Sequence, residues 1–191
     1  MSSKRKVDHV DFFKTIGKSK RLLRTGWVRE RVKDPESVAE HSFRVGVLAM
    51  VLADKFGYRL DKEKLMKMAL LHDLGELVTG DIVIERWDII DVERREEKEQ
   101  AERAGIRKIF GKIDGVDEYL AIYDEMVGRA TPEAKVFAQL DKLEMVFQAL
   151  EYEEEQGKNL EEFFVNVGLY HVREPLIRAI FEEIVKRRKK K

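Results

Sequence analysis

Apolar residues that recur every three or four positions constrain the fold of this chain more than any other feature of its sequence. One such stripe consists of Val38, His41, Val45, Leu48, Leu52 and Phe56, and a second of Val136, Leu140, Leu143, Phe147 and Leu150. This spacing places the residues on one face of an amphipathic helix. Only three prolines and twelve glycines interrupt the chain, and the alternating β-branched runs that are typical of strands are missing. We therefore predict an all-α protein.

Capping and turn residues divide the predicted bundle into helices. Asp34-Pro35 and Thr131-Pro132 are each typical of a helix start, with a capping side chain followed by proline at the first helical position. Asp61 is expected to cap a helix that is apolar almost all round and is therefore buried at the centre. We expect this central helix to run through His72-Asp73 and to stop near the turn-forming residues 79–81.

The length and composition predict one compact intracellular domain. A chain of 191 residues can bury roughly 70% of its unfolded surface. We assign residues 1–191 to a single domain, with a motif-bearing core at about residues 17–164 and a C-terminal helix and basic tail at residues 165–191. The absence of cysteine rules out disulfides and thiolate metal sites and favours a cytoplasmic location. Neither a signal peptide nor a membrane span is expected, since apolar runs of about 18 residues are missing.

The charge distribution gives no indication of a nucleic-acid or membrane partner. Lys plus Arg and Asp plus Glu number 37 each, so the chain has no net charge that would attract a polyanion. The charge-dense residues 91–103 predict a solvated helix with opposite charges three and four positions apart. The basic run at residues 186–191 predicts a frayed, solvated tail in preference to a nucleic-acid-binding arm.

A small set of polar residues on or beside the apolar stripes predicts a metal site. Histidine is scarce, with four in the chain, and a buried imidazole needs a polar partner. His72, Asp73 and Glu76 can share one rim of a helix. His41 and Asp141, on two further helices, would complete a set of two His and two Asp inside the bundle. Imidazole nitrogen and carboxylate oxygen favour a divalent metal ion, and positions left open for water and substrate are typical of catalytic sites.

Each of these residues also has a purely structural interpretation. A histidine on an apolar stripe is more often a hydrogen-bonded core residue than a ligand, and Asp141 could pair with the adjacent Lys142. Glu76 could be a surface residue in a last helical turn, and Asp81 could cap the following segment. Taken together, however, three ligand-type residues at the seams of three helices are hard to explain separately, because each would need its own buried partner.

The order of His41, His72-Asp73 and Asp141 resembles the signature of the HD superfamily of metal-dependent phosphohydrolases. The neighbouring residues resemble its 5'-deoxynucleotidase branch, including the relatives called HD domain-containing proteins. The segments that carry this likeness are Arg24-Thr25-Gly26-Trp27, Glu40-His41-Ser42, His72-Asp73-Leu74-Gly75-Glu76, Thr79-Gly80-Asp81, Gln139-Leu140-Asp141 and Glu151-Tyr152-Glu153. The likeness covers about residues 17–164.

The resemblance implies an HD-domain helical bundle that is usually a homodimer and that binds one divalent metal ion, with Co, Mn, Fe, Ni, Zn and Mg as candidates. It implies that His41, His72, Asp73 and Asp141 hold the metal. Glu76 would be the acid or base, so that Asp73 and Glu76 are the expected catalytic residues. The expected substrate is a deoxyribonucleoside 5'-monophosphate, which loses its 5'-phosphate.

The resemblance also indicates the substrate contacts. Asp81 would contact the sugar, and Arg24 and Trp27 are further candidates. Bacterial deoxynucleotidases place Arg directly before this Trp, whereas the present chain has Gly26 there and Arg24 two positions earlier. An arginine suits bidentate phosphate binding, although Arg24 could instead belong to a solvated basic face. The ring of Trp27 could stack on a base or pack in the core.

Three functions are therefore compatible with the sequence. The first is a phosphatase acting on nucleoside 5'-monophosphates. The second is an HD phosphohydrolase acting on a triphosphate, a cyclic nucleotide or an alarmone. The third is a non-catalytic helical scaffold. A short chain without an appended regulatory domain favours the first over the second, and the intact ligand set argues against the third, because a scaffold has no need of four polar ligands in its interior.

Overall fold

The computed structural model describes residues 7–81 and 92–188. The α-helices of these ranges are α1 His9–Ile16, α2 Thr25–Arg29, α3 Val38–Leu52, α4 Lys62–Leu71, α5 Glu76–Thr79, α6 Val92–Phe110, α7 Val116–Val127, α8 Pro132–Gln156, α9 Glu161–Asn166 and α10 Pro175–Arg188. A 3-10 turn at Gly17–Lys20 follows α1, and a π-helical turn at Val167–His171 follows α9. Among the described residues, extended pairing is limited to one bridge between Leu23 and Ser37, so the prediction of an all-α protein is confirmed. None of these helices is both long and apolar enough to span a membrane.

Helix α4 lies at the centre of the bundle. The predicted central helix, α4, packs against α3, α7 and α8. Leu65 and Met68 on α4 and Leu140 and Leu143 on α8 have no exposed surface. Burying side chains of this kind stabilises the fold by about 1.5–3 kcal/mol each. The exception on α4 is Leu70, which is 56% exposed and marks the outer face of the helix.

Two of the three predicted helix starts are confirmed. Asp61 caps α4 by accepting a hydrogen bond from the Lys64 amide, and Thr131 caps α8 in the same way. The start at Asp34-Pro35 was predicted wrongly, because α3 begins three residues later, at Val38, with Ser37 as its N-cap. Residues ahead of Ser37 cannot be helical, since Asp34 has a φ of 50° and the following segment pairs with residues 22–24. Ser37 and Glu40 form a capping box that fixes the new start.

The central helix also ends earlier than predicted. Helix α4 stops at Leu71, and the chain turns through residues 72–75 with hydrogen bonds between positions three apart before α5 begins. The turn brings the backbone of Gly75 against the backbone of α6. A Cβ atom at Gly75 would lie 2.5 Å from the oxygen of Glu102, and one at Gly105 would lie 2.6 Å from the oxygen of Gly75. Both glycines are therefore needed for this close crossing.

The charge-dense segment is helical, as predicted, but it is not solvated on every side. Glu102, Ile106 and Ile109 of α6 are buried, and they recur at intervals of three and four residues. This face packs against α5 and α7. The contact between Gly75 and Gly105 holds α6 close to the start of α5. The prediction of a solvated helix is therefore wrong for this face. Asp91, the first residue of the predicted segment, lies outside the described residues.

The basic tail is exposed at Lys186 and Arg187, as predicted, but its next residue, Arg188, is bound to the bundle. Arg188 forms ion pairs with Glu153 and Glu161, and its guanidinium lies 4.3 Å from the ring centre of Phe164. The prediction of a frayed tail is wrong for Arg188, because these contacts extend α10 to that residue. Residues 189–191 lie outside the described part of the chain.

Candidate metal centre and active site

The structure brings the predicted metal ligands together from three parts of the chain. His41 lies in α3, His72 and Asp73 follow α4, and Asp141 lies in α8. Ligand atoms of His41, His72 and Asp73 all lie within 4.8 Å of one another. The Oδ1 atom of Asp141 lies 3.1 Å from Nε2 of His41. The packing of α3, α4 and α8 thus gathers two imidazoles and two carboxylates in one cluster.

Hydrogen bonds behind both imidazole rings direct their Nε2 atoms into the cluster. Nδ1 of His41 bonds to Glu144, and Nδ1 of His72 lies 2.9 Å from the backbone oxygen of Ala69. Both partners are acceptors, which assigns the proton of each neutral ring to Nδ1 and leaves a lone pair on Nε2. The two Nε2 atoms lie 3.2 Å apart. The rings therefore present two lone pairs to the same small volume.

This donor set fits a divalent cation. Oδ2 of Asp73 lies 3.1 Å from Nε2 of His72, and Asp141 lies at the same distance from Nε2 of His41. Each imidazole Nε2 atom therefore faces one carboxylate. Four acceptors that face one another in a buried site repel unless a positive charge lies between them, and without a metal that charge is a proton that His41 shares with Asp141. Imidazole and carboxylate ligands suit Zn, Fe, Co, Ni and Mn, and carboxylate also suits Mg. The fixed Nδ1 protons are the outer hydrogen bonds that orient metal-binding histidines.

The electrostatics of the cluster favour positive charge. Burial and Arg24 lower the pKa of His41, yet hydrogen bonds to Asp141 and Glu144 outweigh them and raise it to about 9. Burial raises the pKa of Asp73, but the charges of His72 and Arg24 hold it well below its usual range. The carboxylates thus remain ionised and attract a cation to the imidazoles.

Sequence reasoning missed the residue that orients His41. Glu144 has no exposed surface, and its second carboxylate oxygen accepts a hydrogen bond from Nε of Arg44 at 2.8 Å. Arg44 in turn binds Glu151 at 2.7 Å, so α3 and α8 are joined behind the ligand cluster. The spacing between Asp141 and Glu144 could have indicated this role, because the two residues lie one helical turn apart on the same face of α8.

Glu76 is buried beside the cluster, at the start of α5. It is 2% exposed, and one of its carboxylate oxygens has no hydrogen-bond partner among residues 7–81 and 92–188. Burial and the negative charges of Asp73 and Asp81 together raise the pKa of this carboxyl to about 9, although the positive charges of Lys98 and Arg24 oppose them. A buried carboxyl with a raised pKa and a free oxygen is suited to proton transfer. The surface position that the sequence left open for Glu76 is therefore not observed.

Two of the predicted substrate contacts lie next to the ligand cluster. The guanidinium of Arg24 forms an ion pair with Asp73, so Arg24 is not part of a solvated basic face. Asp81 accepts a hydrogen bond from the Thr25 amide, and its backbone oxygen accepts one from the Thr25 hydroxyl at 2.8 Å. Asp81 therefore caps α2 from a distant part of the chain and fixes the residue next to Arg24.

Trp27 has the contacts of a core residue. Its indole is 2% exposed and stacks on Phe163 with ring centres 4.6 Å apart. Its Nε1 atom donates to Glu36 at 2.8 Å, and Glu36 lies 4.0 Å from Nδ1 of His41. Phe163 therefore covers one face of the indole ring, as the core-packing interpretation predicts. Through Glu36, Trp27 is linked to the Nδ1 side of His41, which faces away from the ligand cluster.

The identity of the fold follows from a comparison with known families. The ordered set of His41, His72, Asp73 and Asp141 lies within residues 16–184, which match the sequence profile of the HD domain family. The chain belongs to the HD domain family. Its members are metal-dependent, and the cluster gathered by α3, α4 and α8 is where this member could hold its ion.

Named relatives and solved structures agree with this assignment. The chain is 39% identical to the 5'-deoxynucleotidase HDDC2 of Danio rerio, covering 91% of this chain and 86% of the relative. It is 36% identical to the human protein of the same name, covering 81% and 74%. Among solved structures, a conserved hypothetical protein from Pyrococcus furiosus has a TM-score of 0.75 at 34% identity, covering 93% of this chain and 99% of that one. The PH0347 protein from Pyrococcus horikoshii gives a TM-score of 0.71 at 32% identity, covering 95% and 98%.

Proposed function

We propose that this chain is a metal-dependent 5'-deoxynucleotidase, which removes the 5'-phosphate from deoxyribonucleoside 5'-monophosphates. The observation that carries the proposal is the convergence of two Nε2 atoms and two carboxylates from α3, the turn after α4, and α8. The relatives named 5'-deoxynucleotidase supply the substrate class. A non-catalytic scaffold would gain nothing from four ligand groups that repel one another in its interior.

The proposed metal ligands are His41, His72, Asp73 and Asp141. When bound there, one divalent ion would activate a water for attack on phosphorus and screen the charge of the phosphoryl group. Co, Mn, Fe, Ni, Zn and Mg all accept this mixture of nitrogen and oxygen ligands. The chain itself contributes the fixed ring orientations and a largely buried site, in which charges interact more strongly than in water.

The remaining residues have separate proposed roles. Glu76 takes up or gives back a proton through the carboxylate oxygen that has no partner within the described ranges. Arg24 is the proposed phosphate contact, because its guanidinium already lies at Asp73 and can bind two phosphate oxygens. Asp81 is the proposed sugar contact, since its second oxygen can accept a hydrogen bond from the 3'-hydroxyl.

A substrate panel with metal-reconstituted protein tests the proposal. Phosphate release would be measured from deoxyribo- and ribonucleoside 5'-monophosphates, a deoxynucleoside triphosphate, a cyclic nucleotide and an alarmone. Deoxyribonucleoside 5'-monophosphates should be hydrolysed with the highest kcat/KM. Preference for one of the other nucleotides would replace the proposal with that activity, and no hydrolysis by protein of full metal content would point to a scaffold.

Two variants separate metal binding from chemistry in the same assay. His72→Ala should lose both bound metal and activity, because it removes one ligand of the ion. Glu76→Gln should keep the metal and bind nucleotide but turn over at least about 100-fold more slowly. Metal loss in Glu76→Gln would make Glu76 a ligand instead of an acid or base.

The proposed location and oligomeric state rest on the sequence and on one exposed surface of α3. A cytoplasmic location follows from the cysteine-free composition, and a homodimer follows from the family resemblance. On α3, the apolar side chains of Phe43, Val47, Met50 and Val51 are exposed, which gives a second copy a surface to cover. Light scattering of the purified protein would distinguish a dimer from a monomer.

A further inference from the structure

Lys142 lies at the edge of the ligand cluster. Its Nζ atom lies 3.0 Å from Oδ2 of Asp141, while Oδ1 of the same carboxylate lies 3.1 Å from Nε2 of His41. Consecutive side chains on a helix point about 100° apart, so the lysine must bend back along α8 to reach this carboxylate. Lys142 is thus turned toward the cluster, and 33% of its side chain is exposed.

Arg24 and Lys142 contact the cluster in the same way. Each is paired with one of the proposed carboxylate ligands, Arg24 with Asp73 and Lys142 with Asp141. The side chains of the two carboxylates are only 13% and 15% exposed, so water screens these ion pairs less than it screens pairs at the surface. A positive charge therefore lies beside each carboxylate ligand.

The charge of Lys142 opposes the binding of a metal ion. An ammonium group next to a metal ligand repels a divalent cation and offsets part of the negative charge that attracts it. A role confined to metal binding would therefore favour a neutral side chain at this position. An anion that binds at the metal, in contrast, is attracted by Lys142 and Arg24 together.

The charges at the cluster match those of a phosphate monoester. For one divalent ion, the carboxylates of Asp73 and Asp141 and the cations of Arg24 and Lys142, the net charge is two positive. A phosphate monoester carries about 1.5 to 2 negative charges at neutral pH. Without Lys142, these groups would neutralise the phosphate only in part.

The potential beside Lys142 is positive. Burial and the positive charges of Lys142 and Arg129 lower the pKa of His171 to about 4. Arg173 acts in the same direction, and Asp141 opposes these charges. The cations outweigh the carboxylate at this position, which suits the approach of an anion along this side of the cluster.

Gln139 fixes the segment that carries these groups to α8. Its Oε1 atom accepts hydrogen bonds from the backbone amides of Arg173 and Glu174, at 2.7 and 2.8 Å. Gln139 lies two positions before Asp141 on the same helix. The end of the π-helical turn and the ligand on α8 are therefore held at a fixed spacing.

We propose that Lys142 is a second phosphate contact, which binds the phosphoryl group of the substrate from α8 while Arg24 binds it from the start of α2. This inference rests on the proposed function, because it places a phosphate monoester at the cluster. The flexible lysine stem lets the ammonium group pass from Asp141 to a phosphate oxygen when the substrate enters. Lys142 makes and breaks no covalent bond, so its effect is on binding.

The first test measures the binding of inorganic phosphate to metal-saturated protein by isothermal titration calorimetry. Lys142→Met should weaken phosphate binding by about 10- to 100-fold, the scale of losing one hydrogen bond to a charged group. Lys142→Arg keeps the charge and should retain most of the affinity. Lys135→Met, which removes an exposed charge from the same helix, should bind phosphate as the wild type does.

Metal affinity separates a phosphate contact from a support of Asp141. In competition with a chelator, Lys142→Met should bind the ion at least as tightly as the wild type, because the charge that it removes repels the ion. Weaker metal binding in Lys142→Met, together with unchanged phosphate binding by the metal-saturated protein, would make Lys142 a support of Asp141 and overturn the inference.

The kinetic test compares the substrate with its product. The KM for a deoxyribonucleoside 5'-monophosphate should rise by about 10-fold in Lys142→Met, because a contact made in the ground state is lost. Inhibition by the deoxynucleoside, which lacks the phosphate, should be the same as in the wild type. Equal weakening of both would indicate a general change in the site and would overturn the inference.

These measurements separate the two proposals. A wild-type protein that binds phosphate through Lys142 but hydrolyses no nucleotide would refute the proposed function and retain the contact. Hydrolysis of deoxyribonucleoside 5'-monophosphates with phosphate binding unchanged in Lys142→Met would retain the function and overturn the inference. An equal loss of phosphate binding in Lys135→Met would also overturn it, since a general loss of charge would then explain the effect.

Discussion

At the scale of single residues, the site depends on groups that hold other groups in place. His41 can present Nε2 to a metal only while Nδ1 keeps its proton, and Glu144 is the acceptor that secures this. Arg44 neutralises part of the charge on Glu144 and connects it to Glu151. Both oxygens of the buried Glu144 carboxylate thereby have partners, which offsets the free-energy cost of burying its charge. The same carboxylate orients His41.

The role of Glu144 leads to a prediction about metal affinity. Glu144→Gln should weaken metal binding by about 10- to 100-fold, because the neutral amide supports the Nδ1 proton of His41 less well than a carboxylate does. Metal affinity would be measured by competition with a chelator of known strength. Glu155→Gln, an exposed position on the same helix, is the matched control and should bind as the wild type does. Equal affinity in Glu144→Gln would remove it from the orientation of His41.

Asp81 leads to a prediction about sugar selectivity. One of its oxygens is used by the Thr25 amide, and the other can accept a hydrogen bond from the 3'-hydroxyl, which we expect to fix the sugar so that a 2'-hydroxyl lacks a partner. Burying an unpaired 2'-hydroxyl costs about 1–3 kcal/mol, so the wild type should prefer deoxyribonucleotides by about 5- to 150-fold in kcat/KM. Asp81→Ala should lose this preference.

A second variant isolates the carboxylate of Asp81 from its capping role. Thr25→Val removes the hydroxyl bond to the Asp81 backbone but leaves the carboxylate and the amide in place. It should therefore retain the preference for deoxyribose. Loss of selectivity in both variants would show that the position of α2, and not a contact from Asp81, sets the sugar preference.

At the scale of helices, one backbone contact connects the metal cluster to the acid or base. Gly75 and Gly105 let the turn after Asp73 touch α6, and that contact places Lys98 at Glu76. Gly105→Ala should lower the free energy of unfolding by about 1–3 kcal/mol, because the added methyl group meets backbone that cannot move aside. Thermal or denaturant unfolding measures this change.

Gly46 on α3 provides the control for that substitution. An added Cβ atom at Gly46 meets no heavy atom within 4 Å, so Gly46→Ala should be neutral or stabilising by up to about 1 kcal/mol. A Gly105→Ala protein as stable as Gly46→Ala would mean that α6 can withdraw from the turn at little cost. The contact between Lys98 and Glu76 would then not depend on the close crossing of Gly75 and Gly105.

At the scale of the whole molecule, the sequence predicted what depends on local periodicity. The apolar stripes predicted α3, α4 and α8, and the caps at Asp61 and Thr131 were placed correctly. The false start at Asp34 and the early end of α4 could not be predicted, because both depend on pairing with distant backbone at residues 22–24 and at Gly105. Local propensity carries no information about such contacts.

The same distinction holds for the site. Ligand-type residues on apolar stripes were noticeable because burial of each alone would be costly. Glu144 and Lys98 were not noticed, because a charged residue on a helix looks solvated until its neighbours in space are known. Their contacts depend on the way α6 and α8 pack, which the sequence of either helix does not specify.

The metal cluster joins helices from distant parts of the chain, so metal should stabilise the entire fold. His41, His72 and Asp141 come from α3, the end of α4 and α8, which unfold away from one another. An ion that binds only the folded state adds about 2.7 kcal/mol at a concentration 100 times its Kd. For a chain of this length, that corresponds to a rise in Tm of about 5–10 °C.

Calorimetry with and without a chelator measures this stabilisation. Chelation should lower the Tm of the wild type, and adding back a divalent transition metal should restore it. His72→Ala should show no response to either treatment, because the cluster then lacks a ligand on α4's end. Glu76→Gln should respond as the wild type does, since Glu76 is proposed to move a proton and not to hold the ion. A wild-type Tm that is indifferent to metal would separate the cluster from metal binding.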